Sequence, residues 1–146
     1  MTSICERKEL VKASLEGFTN QNERLKYIIK LGKQTPPMNE TFKIDQFLVA
    51  GCISKAWLAP EFRNDRIFFH VDSEAMIVKG IMSIILSVFN DSKPSEILED
   101  DGTFLAQLGI PELLSMNRRN SSTNIMKLVR YYASAASQIN SEHQPS

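Results

Sequence analysis

Cysteine and histidine are scarce in this chain, and the scarcity narrows its chemistry at once. The 146 residues contain two cysteines, Cys5 and Cys52, and two histidines, His70 and His143. Neither cysteine belongs to a CxxC pair, and the four side chains stand at no ligand-like spacing. Neither a structural zinc site nor a disulfide scaffold is expected. An excess of one charge is also missing. Lys plus Arg number 17 and Asp plus Glu number 17, so there is no electrostatic case for nucleic acid or an anionic membrane. The most apolar stretch, Gly80 to Phe89, holds two serines and follows Lys79, and it falls far short of the ~20 residues a membrane helix needs. No glycine-rich turn of phosphate-binding type occurs. The start, Met1-Thr2-Ser3-Ile4-Cys5-Glu6-Arg7-Lys8, lacks the apolar core of a signal peptide. A cytoplasmic, reducing compartment with both thiols free is the expectation.

What is present is ordinary globular sequence with clear punctuation. The length predicts one domain spanning 1–146, able to bury about 70% of its unfolded surface without staples. Helices are predicted over Glu6–Leu15, ending near Gly17, and over a segment carrying Leu25, Ile28, Ile29 and Leu31. Asn20 or Asn22 caps the second, and Gly32 is its predicted stop. Thr35-Pro36-Pro37 forces an extended connection. Ile53–Ala59 reads as a strand stopped by Pro60, Arg63-Asn64-Asp65 as a turn and Arg66–Val71 as a second strand, with a third strand expected before Cys52. Asp72 or Ser73 is the predicted cap of a helix so apolar that it must be central. Shorter helices follow from Pro94 to Leu98 and from Thr103 to Leu108. A last one is capped by Asn120-Ser121-Ser122, with a frayed tail over Ser141–Ser146. The predicted class is α+β: a small three-stranded antiparallel sheet packed against several helices.

Cys52 is the side chain most suited to chemistry. Gly51 before it permits a sharp turn or a close backbone approach, and a turn cysteine can meet a partner. The bland alternative is a thiol serving as a small hydrophobe. A Cys52/His70 hydrolase is a second possibility, because His70 lies on the strand expected to pair with the one after Cys52. His143 falls in the predicted tail. Arg118-Arg119 is a local basic spot that either is solvated or favours a thiolate.

Three blocks together resemble the SufE family of sulfur-acceptor proteins, including its CsdE group. Val49-Ala50-Gly51-Cys52-Ile53-Ser54-Lys55-Ala56-Trp57-Leu58 is similar to the family's cysteine loop. Asp72-Ser73-Glu74-Ala75-Met76-Ile77-Val78-Lys79-Gly80 is similar to the start of its long helix, and Arg118-Arg119-Asn120-Ser121 to its Arg-x-(Asn/Gln)-Gly element. Softer matches at Tyr27–Lys33 and Lys93–Ile97 extend the resemblance over about residues 18–136. The chain departs from the pattern at Ala50, often proline, and at Ile53 and Lys55, often glutamine. It departs also at Phe47-Leu48, often Asn-Arg, and at Ser121, usually glycine. These changes bear on partner choice and loop mobility.

The resemblance implies a SufE/NifU-like fold and a carrier that takes persulfide sulfur from a cysteine desulfurase onto Cys52. It implies that the carrier stimulates that enzyme, a SufS- or CsdA-like pyridoxal-phosphate protein, and passes sulfur to an Fe–S scaffold downstream. Gly51, Ser54, Trp57 and Arg118 would support the loop. No cofactor or metal of the chain's own is implied, and it would act as a partner and activator rather than a stand-alone enzyme. Cys5 lies outside the matched blocks and is expected to be incidental. NifU- and IscU-type scaffolds use three cysteines, whereas only Cys52 is placed for function here, which disfavours a cluster scaffold. The Cys52/His70 hydrolase and a binding module with an inert cysteine remain open.

Overall fold

The computed structural model describes residues 3–143. Among these, α1 (Ile4–Glu16) and α2 (Gln21–Gln34) come first, then two short 3-10 turns at Glu40–Phe42 and Asp45–Phe47. The hairpin β1 (Ala56–Arg63) and β2 (Arg66–Ser73) follows, then α3 (Met76–Phe89), α4 (Pro94–Glu99), α5 (Phe104–Gln107), a 3-10 turn at Pro111–Leu113 and α6 (Met116–His143). The class is the expected α+β. Residues 144–146, part of the predicted tail, lie outside the described residues.

α3 is the centre, as its composition requires. Val78, Ile81, Met82, Ile84, Ile85, Val88 and Phe89 are all buried, between Leu58, Ile67, Phe69 and Val71 of the hairpin and Ile125, Val129 and Ala133 of α6. α2 crosses α3 so closely that a Cβ on Gly80 would run into the Ile28 carbonyl, and one on Gly32 into the Met76 carbonyl. Gly32 is therefore a packing notch inside α2, not the stop predicted for it. The helix continues to Gln34, and Pro36 follows the cap residue Thr35.

The sheet has two strands among the described residues, not the expected three. Asn64 and Asp65, with φ of 52° and 64°, make the tight turn of the hairpin. β1 runs through Pro60 instead of stopping there. Val49 N–H donates to the Ala56 carbonyl at 2.8 Å, while the Lys55 carbonyl accepts from Glu74 on the opposite side. By alternation, Ala56, Leu58 and Pro60 turn their backbone groups to the outer edge, where Pro60 has no donor to offer. The segment before Cys52 meets this edge in one bridge, Leu48 to Trp57. The 3-10 turn at Asp45–Phe47 curls the chain away just upstream, so no third strand extends.

Two predicted caps are also displaced. Ala75, not Asp72 or Ser73, precedes the first turn of α3, and the Ser73 hydroxyl accepts the Ala75 N–H at 3.1 Å. α6 begins at Met116 rather than after Asn120. Ser115 receives the Arg118 N–H on its hydroxyl at 3.4 Å and the Arg119 N–H on its carbonyl at 2.9 Å. Ser121 and Ser122 are buried within the helix and satisfy their hydroxyls on the carbonyls of Asn117 and Arg119. Asn20 caps α2 as expected, accepting from Glu23 at 2.8 Å. α1 starts at Ile4, ahead of its predicted start, because Ser3 caps it through the Glu6 N–H at 3.1 Å.

Candidate functional site

Cys52 sits in the short loop between Leu48, which bridges to Trp57, and the start of β1. Its side chain is half-buried and packs against the edge of the core. Just upstream, buried Val49 anchors the chain. Gly51 then takes φ of +79°, in the region that favours glycine. Space also demands glycine here. A Cβ would lie 2.6 Å from Nδ2 of Asn124, whose amide crosses from α6 to donate to the Ala50 carbonyl at 2.8 Å.

Downstream, the loop is gripped at Lys55. Its carbonyl accepts from Glu74 N–H at 2.9 Å and from the Ser73 hydroxyl at 3.1 Å, and its N–H donates to the Glu74 carboxylate at 3.1 Å. Between these two grips, among the described residues, no hydrogen bond holds Cys52, Ile53 or Ser54. Ile53 is 74% exposed.

Asp72 secures the base of this arrangement. Its carboxylate is buried and accepts from Met38 N–H at 3.1 Å and Ser73 N–H at 2.8 Å. It also pairs with Lys43 and with buried Lys79, each at 3.1 Å. Burial pushes the carboxyl up, but the Met38 N–H, the two ammonium groups and the Ser73 N–H outweigh it and hold Asp72 below the ordinary carboxylate range. Lys43, raised by its bond to Asp72, also lies 5.2 Å from the centre of the Trp57 ring.

The residues singled out in the sequence are thus distributed unevenly. Gly51 and Cys52 share the turn, half-buried Ser54 follows, and half-buried Trp57 pairs with Leu48 across the loop's base. Arg118 is half-buried on the first turn of α6 rather than in a loop, and among the described residues its guanidinium has no hydrogen-bond or ion-pair partner. Arg119 is a brace, donating from Nε to the carbonyls of Pro111 at 2.7 Å and Leu114 at 3.2 Å. His70 points elsewhere. It stacks on Phe42 with ring centres 4.3 Å apart, and Nε2 meets the Glu61 carboxylate at 2.7 Å. That bond holds Glu61 below its ordinary range. No hydrogen bond joins His70 to Cys52. Among the described residues no group of three or more His, Cys, Asp or Glu side chains is gathered as a metal site, and no helix is long and apolar enough to cross a membrane.

The family described as SufE, the Fe–S metabolism associated domain, matches residues 9–133. The chain belongs to the SufE family. The family's description ties this SufE chain to Fe–S metabolism. It is 29% identical over 117 residues to an uncharacterised SufE-like protein of Synechocystis, covering 80% of this chain and 74% of that protein. It is 31% identical over 113 residues to an uncharacterised SufE-like protein of Rhizobium meliloti, covering 74% and 81% respectively. Its fold is similar to the solution structure of a hypothetical protein from Thermus thermophilus, with a TM-score of 0.74 at 12% identity over 90% of this chain and 96% of that one.

Sequence reasoning found the loop of this SufE chain but missed what grips it. Glu74, Lys79 and Gly80 stand inside a block matched to the family, yet only the fold shows Glu74 reaching Lys55, 19 residues away. Asn124 carries no local signal at all: a polar residue on an amphipathic helix reads as a solvated face.

Proposed function

We propose that this protein is a sulfur carrier in Fe–S metabolism. Cys52 accepts persulfide sulfur from a pyridoxal-phosphate cysteine desulfurase, stimulates that enzyme and hands the sulfur on to an Fe–S scaffold. The observation that carries this reading is a single thiol on a loop gripped at both ends and unbonded between them, in a chain of the SufE family. In the transfer, the Cys52 thiolate attacks the outer sulfur of the partner's cysteine persulfide. One S–S bond forms on Cys52 as the partner's S–S bond breaks, and the partner's thiolate leaves with the electron pair. The Cys52 proton passes to solvent and the leaving thiolate takes one up, so no oxidant or reductant is consumed.

Such a step needs a deliverable thiol and no acid–base pair. Half-burial against the core suits the resting carrier, because a persulfide must be shielded between partners. Trp57 supports the base of the loop, and Arg118, unpaired among the described residues, is suited to engaging the desulfurase. The hydrolase alternative is disfavoured by His70, whose Nε2 is already taken by Glu61.

Mass spectrometry after incubation with a desulfurase and cysteine tests the proposal. One added sulfur mapping to Cys52 is the expected result, and Cys52→Ser should abolish stimulation of the desulfurase with the fold intact. Stimulation undiminished in that variant, or sulfur accumulating only on Cys5, refutes it.

A further inference from the structure

The Cys52 loop is fixed at buried Val49 and at Lys55, and a single bond holds it between them. Downstream, Lys55 is fixed by three hydrogen bonds to the end of β2 and the residue after it. Upstream of Cys52 and beyond Val49, one bond remains, from Asn124 Nδ2 to the Ala50 carbonyl, and it is exposed to water. That bond lies directly against Gly51, which at φ +79° is the one residue of the loop whose missing Cβ leaves it torsional freedom. The weak tie and the glycine thus lie on the same side of Cys52.

We infer that Asn124 is the positioning residue that sets how often Cys52 leaves its resting place against the core. The inference rests on the sulfur-carrier reading, and it makes Asn124 a weak latch rather than a lock. A water-exposed amide–carbonyl bond contributes little net free energy, because water replaces it at small cost. The latch therefore tunes the fraction of open loops, and a partner that competes for the Ala50 carbonyl or the Asn124 amide releases Cys52 without unfolding anything else.

The test is iodoacetamide alkylation of the native full-length protein, with each thiol followed by peptide mass mapping. Cys5, exposed on α1, is the internal reference. Asn124→Ala and Asn124→Leu, the second keeping side-chain bulk without the donor, should raise the Cys52-to-Cys5 rate ratio by about two- to tenfold. Amide exchange in β1 and β2 and the urea midpoint should hold. A ratio unchanged in both variants, or a rise matched by faster exchange throughout the hairpin, overturns the latch. Persulfide loading of the unmodified protein is scored separately. Loading with an unchanged ratio sinks the latch alone, whereas a raised ratio without any loading sinks the carrier reading and leaves Asn124 as a latch on a loop of other use.

Discussion

Glu74 holds Lys55 by both sides of its peptide, donating its own N–H to the Lys55 carbonyl at 2.9 Å and accepting the Lys55 N–H on its carboxylate at 3.1 Å. Glu74→Ala removes the second bond and keeps the first. Amide exchange at Lys55 should accelerate, with a loss of about 0.5–1.5 kcal/mol in urea unfolding. Glu74→Gln retains an acceptor oxygen and should behave nearly as the parent. Equal behaviour of the Ala and parent proteins in exchange would remove Glu74 from the loop's support.

Asp72 is the site where acid should be felt. Its folded-state affinity for protons is lowered, so its contribution to stability is complete above the ordinary carboxylate value of 3.8 and is lost as pH falls through the lower folded value. Asp72→Asn leaves the buried Lys79 ammonium without its counter-charge and should cost about 3–5 kcal/mol at neutral pH. The difference between parent and variant, measured by urea unfolding at several pH values, should be constant near neutrality and shrink below about pH 4. A difference that grows on acidification would contradict this assignment.

Gly51→Ala combines two penalties. The positive φ costs about 1–2 kcal/mol for a residue with a Cβ, and the new methyl collides with Asn124. In an Asn124→Ala background the collision disappears and the torsional cost stays. The double-mutant cycle should therefore show coupling, with Gly51→Ala less harmful in the second background. Strict additivity would mean that the two residues do not press on each other.

Gly80→Ala should be more damaging than its small size suggests. The added methyl meets the Ile28 carbonyl, which is backbone and cannot rotate away. α2 and α3 must separate, and the loss should reach or exceed the top of the ~1–3 kcal/mol range usual for overpacking. Gly17→Ala, whose nearest contact is 3.6 Å from the added Cβ, is the control and should be nearly neutral. Similar midpoints for the two variants would refute close helix packing as the role of Gly80.

Much of the fold was legible because its signals are local. The apolar run of α3, the Asn64-Asp65 turn and the Asn20 cap each declare themselves within a few residues. Two of the misassignments share one cause. Gly32 looked like a stop because a helix end and a helix crossing both call for a missing Cβ, and only the position of α3 tells them apart. Pro60 looked like a terminator because a proline inside a strand is tolerated only at an edge, and edges are a property of the sheet.

The site divides in the same way. The amino-acid sequence by itself determined that one thiol, Cys52, stands after a glycine in a block similar to the SufE loop, and that the cysteines and histidines stand at no ligand-like spacing. Only the tertiary structure decided that His70 faces Glu61, that Arg118 rides on a helix, and that Glu74 and Asn124 close on the two ends of the loop. Composition and periodicity register what a residue is and which face it takes. A hydrogen bond such as that from Asn124 to Ala50, across 74 positions of chain, exists only once packing has brought the two groups within 2.8 Å.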